Sequence, residues 1–158
     1  VHFIPSFVND NVFIDIDGSP EAFKVKMNDY FYNDIEGVVI SFYTQTLKMI
    51  EAGHFDIIGH FDKIGYNASC FKPGIEDEKW YVDLVKETFD AIMDCHYWIE
   101  INTKAYTTGN RFFPNAKYWK WMIDYNAPVL FNSDVHYPEL INAGRSEAME
   151  LFGNLKQL

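Results

Sequence analysis

Residues 35–60 read IEGVVISFYTQTLKMIEAGHFDIIGH, and the fold class is decided here. Ile35, Val38, Val39, Phe42, Leu47 and Ile50 recur at helical spacing, and Gly53 supplies a C-cap. Phe55-Asp56-Ile57-Ile58-Gly59 is then short, apolar and β-branched, which predicts a buried strand ending at His60. The same alternation continues downstream. A helix is predicted over Lys79 to Asp94, with Tyr81, Leu84, Val85, Thr88, Phe89, Ile92 and Met93 inward, followed by a strand over Tyr97 to Ile101. A third helix around Ala116 to Tyr125 precedes a strand over Pro128 to Phe131. Pro138 and Glu139, both suited to a first turn, open a last helix that runs to about Phe152. Helices alternating with strands imply an α/β fold with parallel strands and crossover helices. The segments Phe61 to Glu78 and Thr103 to Asn115 read as polar loops that follow strands.

The bulk properties narrow the function classes. With 158 residues and 48% hydrophobic content, one domain spanning 1–158 is expected. An aromatic content of 18% excludes a disordered chain. The formal charge of −10, without any basic run, argues against nucleic acid as a partner, because phosphate contacts need clustered Lys and Arg. The same acidity repels a small phosphorylated substrate unless local cations reverse the field, as bound divalent metals do. Cys70 and Cys95 form no CxxC pair, and a reduced, cytoplasmic protein is expected. No apolar run approaches the roughly 18 residues of a membrane span, so no membrane partner is expected. Val1 opens no signal peptide and is not a start methionine, so the chain is expected to begin inside a longer one.

In parallel α/β folds, chemistry collects beyond the C-terminal ends of the strands. Three predicted strands end in candidate ligands: His60 with Asp62 after the first, Glu100 and Asn102 on the second, and Asp134 and His136 after the third. Residues two apart on an extended chain share a face, so Asp134 and His136 can address one ion. Histidine nitrogen beside carboxylate oxygen suits Zn, Mn or Fe. Lys104 and Arg111, in the loop after the Glu100 strand, are the nearest cations for a phosphate, although a solvated surface charge is the plainer reading of each. His54 and His96 precede their strands and are read as structural, and Trp98, Trp119 and Trp121 as core. An alternative lies in Val12-Phe13-Ile14-Asp15-Ile16-Asp17-Gly18-Ser19, which resembles the D-x-D-G motif of haloacid-dehalogenase-type phosphatases with Asp15 as nucleophile. No downstream acidic motif accompanies it, and Asp17-Gly18-Ser19-Pro20 is ordinary turn chemistry opening a helix.

Three runs taken together resemble the later motifs of histidinol-phosphatases in the polymerase and histidinol phosphatase (PHP) superfamily. They are Asp56-Ile57-Ile58-Gly59-His60-Phe61-Asp62, Ile99-Glu100-Ile101-Asn102-Thr103 and Asn132-Ser133-Asp134-Val135-His136. Val1-His2-Phe3-Ile4 is similar to the end of that family's S-V-H motif. The resemblance implies part of a distorted (β/α)7 TIM-like barrel, a cluster of up to three divalent ions (Mn, Zn or Fe), and His2, His60, Asp134 and His136 as metal ligands. Asp62, Glu100, Asn102, Lys104 and Arg111 would then face the substrate, L-histidinol phosphate, whose ester is hydrolysed by metal-activated water without a protein nucleophile. The family's H-x-H pair and an upstream glutamate would precede Val1. A missing N-terminal segment or a homo-oligomer partner is therefore expected to complete the site, and without it the chain is expected to be a metal-binding remnant.

Overall fold

The structure is a computed structural model and describes residues 1–157. The chain forms two compact units, Val1–Gly53 with Ile64–Ala91, and His54–Lys63 with Ile92–Leu158.

The first unit opens with a two-stranded antiparallel ribbon of β1 (Phe3–Pro5) and β2 (Phe13–Asp15), in which Ile4 faces Ile14 across the pair. Ser19 caps the next helix by accepting from the Ala22 amide, and Pro20 sits at its first turn, so α1 runs Pro20–Phe31. Asp34 caps α2 (Ile35–Ala52) in the same way through the Gly37 amide, and Gly53 ends it, as its sequence predicts. The segment expected to be a polar loop contains α3 (Ile64–Phe71) and a 3-10 turn, Ile75–Asp77. Most of α4 (Lys79–Asp94), whose bounds match the prediction, also belongs to this unit. Phe23, Met27, Phe31, Val38, Val39, Phe42, Tyr43, Ile64, Tyr81, Val85 and Phe89 are buried, the Tyr43 and Tyr81 rings meeting edge to face at 5.9 Å.

The second unit is built on a parallel sheet in the order β3 (Ile57–Ile58), β4 (Trp98–Asn102), β5 (Val129–Asn132). Parallel strands are therefore present as predicted. The described residues form no closed barrel, and the parallel sheet has three strands. Between β4 and β5 lie a short α5 (Tyr106–Gly109), a 3-10 turn over Ala116–Tyr118, and α6 (Trp119–Asp124). After β5 come a 3-10 turn over Pro138–Leu140 and α7 (Arg145–Leu155).

The register assigns the sheet's faces. Ile58, Ile99, Ile101 and Phe131 fall on one face, and the Phe131 and Trp119 rings each meet Phe152 of α7 at 5.8 Å. Ile57, Trp98, Glu100, Asn102, Leu130 and Asn132 fall on the other. Of the three tryptophans read as core, Trp119 is fully buried, but Trp98 is 49% exposed. Trp98 stands next to Ile57 at the start of the opposite face, which explains the difference.

The predicted helix from Pro138 to Phe152 is interrupted. Gly144 has φ +71°, and the carbonyls of Ile141 and Ala143 accept from the Ser133 and Thr103 hydroxyls instead of continuing a helical ladder. Among the described residues no helix is long and apolar enough to cross a membrane.

Candidate functional site

Because β3, β4 and β5 are parallel, the residues that follow them emerge at one edge of the sheet, while His54 and His96 precede β3 and β4 at the opposite edge. His96 makes a local contact there, its Nδ1 lying 2.9 Å from the Met93 carbonyl.

At the C-terminal edge the buried Glu100 carboxylate is the hub. Its Oε2 accepts from the His60 amide at 3.0 Å and from Asn102 Nδ2 at 3.2 Å, and its Oε1 accepts from Asn132 Nδ2 at 2.6 Å. One carboxylate thereby joins the ends of all three parallel strands. Several donors converging on it compensate the cost of burying a charge. Gly59 brings the backbone close to this carboxylate, since a Cβ there would lie 3.1 Å from Glu100 Oε2, tighter than ordinary contact. His60 follows in left-handed backbone, φ +32°.

Beside this hub lies a second polar group. Asp62 is fully buried, and its Oδ2 accepts from the Asn115 amide at 2.7 Å and from Arg111 Nη2 at 3.3 Å. The Arg111 guanidinium also stands 5.3 Å from the centroid of the Phe113 ring. Asp62 and Arg111 are 49 positions apart in sequence, and β-bridge pairing between Asn102 and Phe113 folds the intervening loop back.

A third group joins the loops after β4 and β5. Lys104 Nζ lies 3.4 Å from Asp134 Oδ2 and 3.5 Å from His136 Nδ1. Asp134, like His60, is left-handed, at φ +46°. Side chains other than glycine adopt this region at a cost, and such strain concentrates where a loop is over-determined by its surroundings.

His2 belongs to the first unit, where its ring pairs with Asp17. Asp15 also belongs there, at the end of an antiparallel ribbon, where its carboxylate accepts from the Asp17 amide at 2.8 Å and faces Lys26 Nζ at 3.4 Å. That is a turn with an ion pair rather than the C-terminal end of a parallel strand.

Of the expected metal ligands in the second unit, Asp134 and His136 meet at one cation, which is Lys104. Among the described residues, no three His, Cys, Asp or Glu side chains are grouped to hold a metal ion. A protein-held zinc needs at least three such donors, so the arrangement here does not by itself fit a metal centre. Asn132, Asn115 and Gly59 also take part at this edge and were not among the sequence candidates. Asn132 alone left a signal, because it ends its strand as Asn102 ends β4, and the two are register partners.

No family model matches the chain, and no curated protein matches it. Among solved structures, the fold is similar to the crystal structure of the "putative histidinol phosphatase hisK" from Listeria monocytogenes, with a TM-score of 0.77 and 20% sequence identity. The similarity covers 93% of this chain and 55% of that one, so the chain spans about half the length of the Listeria protein. At this identity the likeness is one of fold: a mixed α/β chain with a parallel sheet, shared with a structure of histidinol-phosphatase type.

Proposed function

We propose that this chain is part of a phosphatase of the PHP type that hydrolyses a small phosphomonoester, with L-histidinol phosphate the substrate favoured by the motifs. The observation that carries this reading is the single polar edge where His60, Glu100, Asn102 and Asp134-x-His136 lie at or just beyond the ends of three parallel strands, in a fold similar to that of the Listeria protein. The three strands are read as an arc of the larger barrel that this family uses. Lys104 and Arg111 supply positive charge at the edge, and Arg111 presents a planar fork suited to phosphate oxygens. Glu100 contributes by holding the His60 backbone, and Asp62 by anchoring the guanidinium. The family's chemistry would need divalent metal and further donors beyond the Asp134 and His136 pair.

The test is phosphate release from histidinol phosphate with Mn²⁺ supplied, comparing wild type with Asp134→Ala, Asp15→Ala and Arg111→Lys. Asp134→Ala is expected to lower the rate by about 10²-fold or more, the scale for loss of an electrostatic contributor, and Asp15→Ala to leave it within about twofold. Arg111→Lys keeps a charge beside the buried Asp62 but loses the fork, and is expected to raise KM more than it lowers kcat. Loss of activity in Asp15→Ala with Asp134→Ala unaffected would transfer the chemistry to the haloacid-dehalogenase reading.

A further inference from the structure

In the first unit, α2 and α4 meet through buried tyrosines, the Tyr43 and Tyr81 hydroxyls lying 3.4 Å apart. A groove of about 340 Å³ opens between the same two helices, lined by Glu36 and Ile40 of α2 and by Trp80, Asp83, Leu84 and Glu87 of α4. The spacing of four on α2, and of three, four and seven on α4, puts each set on one stripe of its helix. Ile40, Trp80 and Leu84 supply apolar surface, while Glu36, Asp83 and Glu87 are exposed carboxylates around it. The indole is fixed in place: Trp80 Nε1 donates to Glu78 Oε2 at 2.5 Å, and Lys72 Nζ holds the other oxygen of that carboxylate at 2.6 Å. A side chain already held gives up little freedom on contact, which suits it to anchor a partner. Asp83 pairs with Lys79 at 2.6 Å, whereas among the described residues Glu36 and Glu87 have no ion-pair partner.

Charge selects the occupant. In a chain of formal charge −10, a second copy would bring further carboxylates to this rim, and an anionic ligand would be repelled. A small molecule would stay largely hydrated in so open a groove, because ligand sites bury most of the ligand surface. We propose that the α2–α4 groove docks a basic amphipathic helix of a partner protein, with its apolar stripe on Ile40, Trp80 and Leu84 and its Lys or Arg residues against Glu36, Asp83 and Glu87. The proposal is independent of the phosphatase reading, whose polar edge belongs to the second unit.

The experiment is fluorescence polarisation of a labelled peptide of about 18 residues, with leucine on one helical face and lysine on the other, titrated with the full chain. A peptide with glutamate in place of lysine is the control. Circular dichroism checks the fold of each variant. The wild type is expected to bind the lysine peptide and not the glutamate peptide. Neutralising the rim with Glu36→Gln, Asp83→Asn and Glu87→Gln together should weaken binding about tenfold, the scale of three exposed ion pairs. Neutralising three exposed carboxylates away from the groove, Glu51→Gln, Asp94→Asn and Glu150→Gln, removes the same net charge and should change binding by less than about twofold. Ile40→Gln, which leaves charge unchanged, should weaken binding about threefold or more through lost apolar contact. Equal weakening by the two neutralised variants would reduce the effect to net charge and overturn the proposal. Binding of the glutamate peptide, or no binding of the lysine peptide up to about 1 mM, would also overturn it. Self-association of the wild type in sedimentation that Ile40→Gln abolishes would give the groove to a second copy instead.

Discussion

Glu100 accepts from the His60 amide and from the side-chain amides of Asn102 and Asn132, so three loops depend on a single acceptor group. Removing it strips the buried Asn102 side-chain amide and the part-buried His60 amide of their acceptor, which costs more than the bonds themselves contribute. Glu100→Ala is accordingly expected to lower unfolding stability by about 3 kcal/mol. Glu100→Gln should cost only about 1 kcal/mol, because it still offers one oxygen toward His60 and Asn102, and Asn132 can flip its amide to accept from the new NH₂. Urea midpoints of the two variants measure the difference. Equal losses would mean that the charge, not the number of acceptor positions, holds the hub together. The same acceptor bears on backbone conformation, since the amide of left-handed His60 is held by Glu100 of β4.

Helices that carry their own signals were legible before the structure. The apolar spacing from Ile35 and the Gly53 cap bound α2, and the inward series of Tyr81, Val85, Phe89 and Ile92 defines α4 without reference to anything distant. Elements fixed by distant groups were not. α3 contains Gly65, Asn67 and Ser69 and reads as a loop, yet the Asn67 side-chain amide donates to the Ile16 carbonyl at 3.0 Å, a bond spanning 51 positions. The candidate site divides in the same way. Strand ends placed His60, Glu100, Asn102, Asp134 and His136 on one edge, whereas the Asp62–Arg111 pair and the role of Asn132 depend on loop closure and register that no local pattern encodes. The expected last helix failed at Gly144, and two glycines make that difference testable. A Cβ on Gly144 would lie 2.9 Å from Tyr106 Cβ and 3.2 Å from Thr103 Cβ, at φ +71°, whereas one on Gly153 within α7 meets nothing within 4 Å. Gly153→Ala is expected to stabilise by about 0.5–1 kcal/mol through helix propensity. Gly144→Ala should destabilise by about 2–3 kcal/mol through backbone strain and overpacking. Thermal melts of both decide the point, and stabilisation by Gly144→Ala would restore the uninterrupted helix.

At the scale of the molecule, charge is the property that reaches farthest. The chain carries a formal −10, yet the polar edge of the parallel sheet holds Lys104 and Arg111. A phosphomonoester dianion therefore meets a repulsive field at long range and attractive groups at contact. The two differ in their response to salt. Exposed charges are felt over about 30 Å at 0.01 M ionic strength but only about 8 Å at 0.15 M, while short contacts at a partly buried site are screened much less. Since the long-range field acts mainly on encounter, its effect belongs in kcat/KM and not in kcat. Under the proposed phosphatase activity, raising ionic strength from about 0.01 to 0.15 M with an inert salt should increase kcat/KM by about threefold and leave kcat nearly constant. The measurement is steady-state phosphate release at fixed pH and fixed Mn²⁺. A fall in kcat/KM over the same range would mean that Lys104 and Arg111 govern the approach as well as the contact. In that case Lys104→Met should flatten the salt dependence, because half of the local positive charge would be gone.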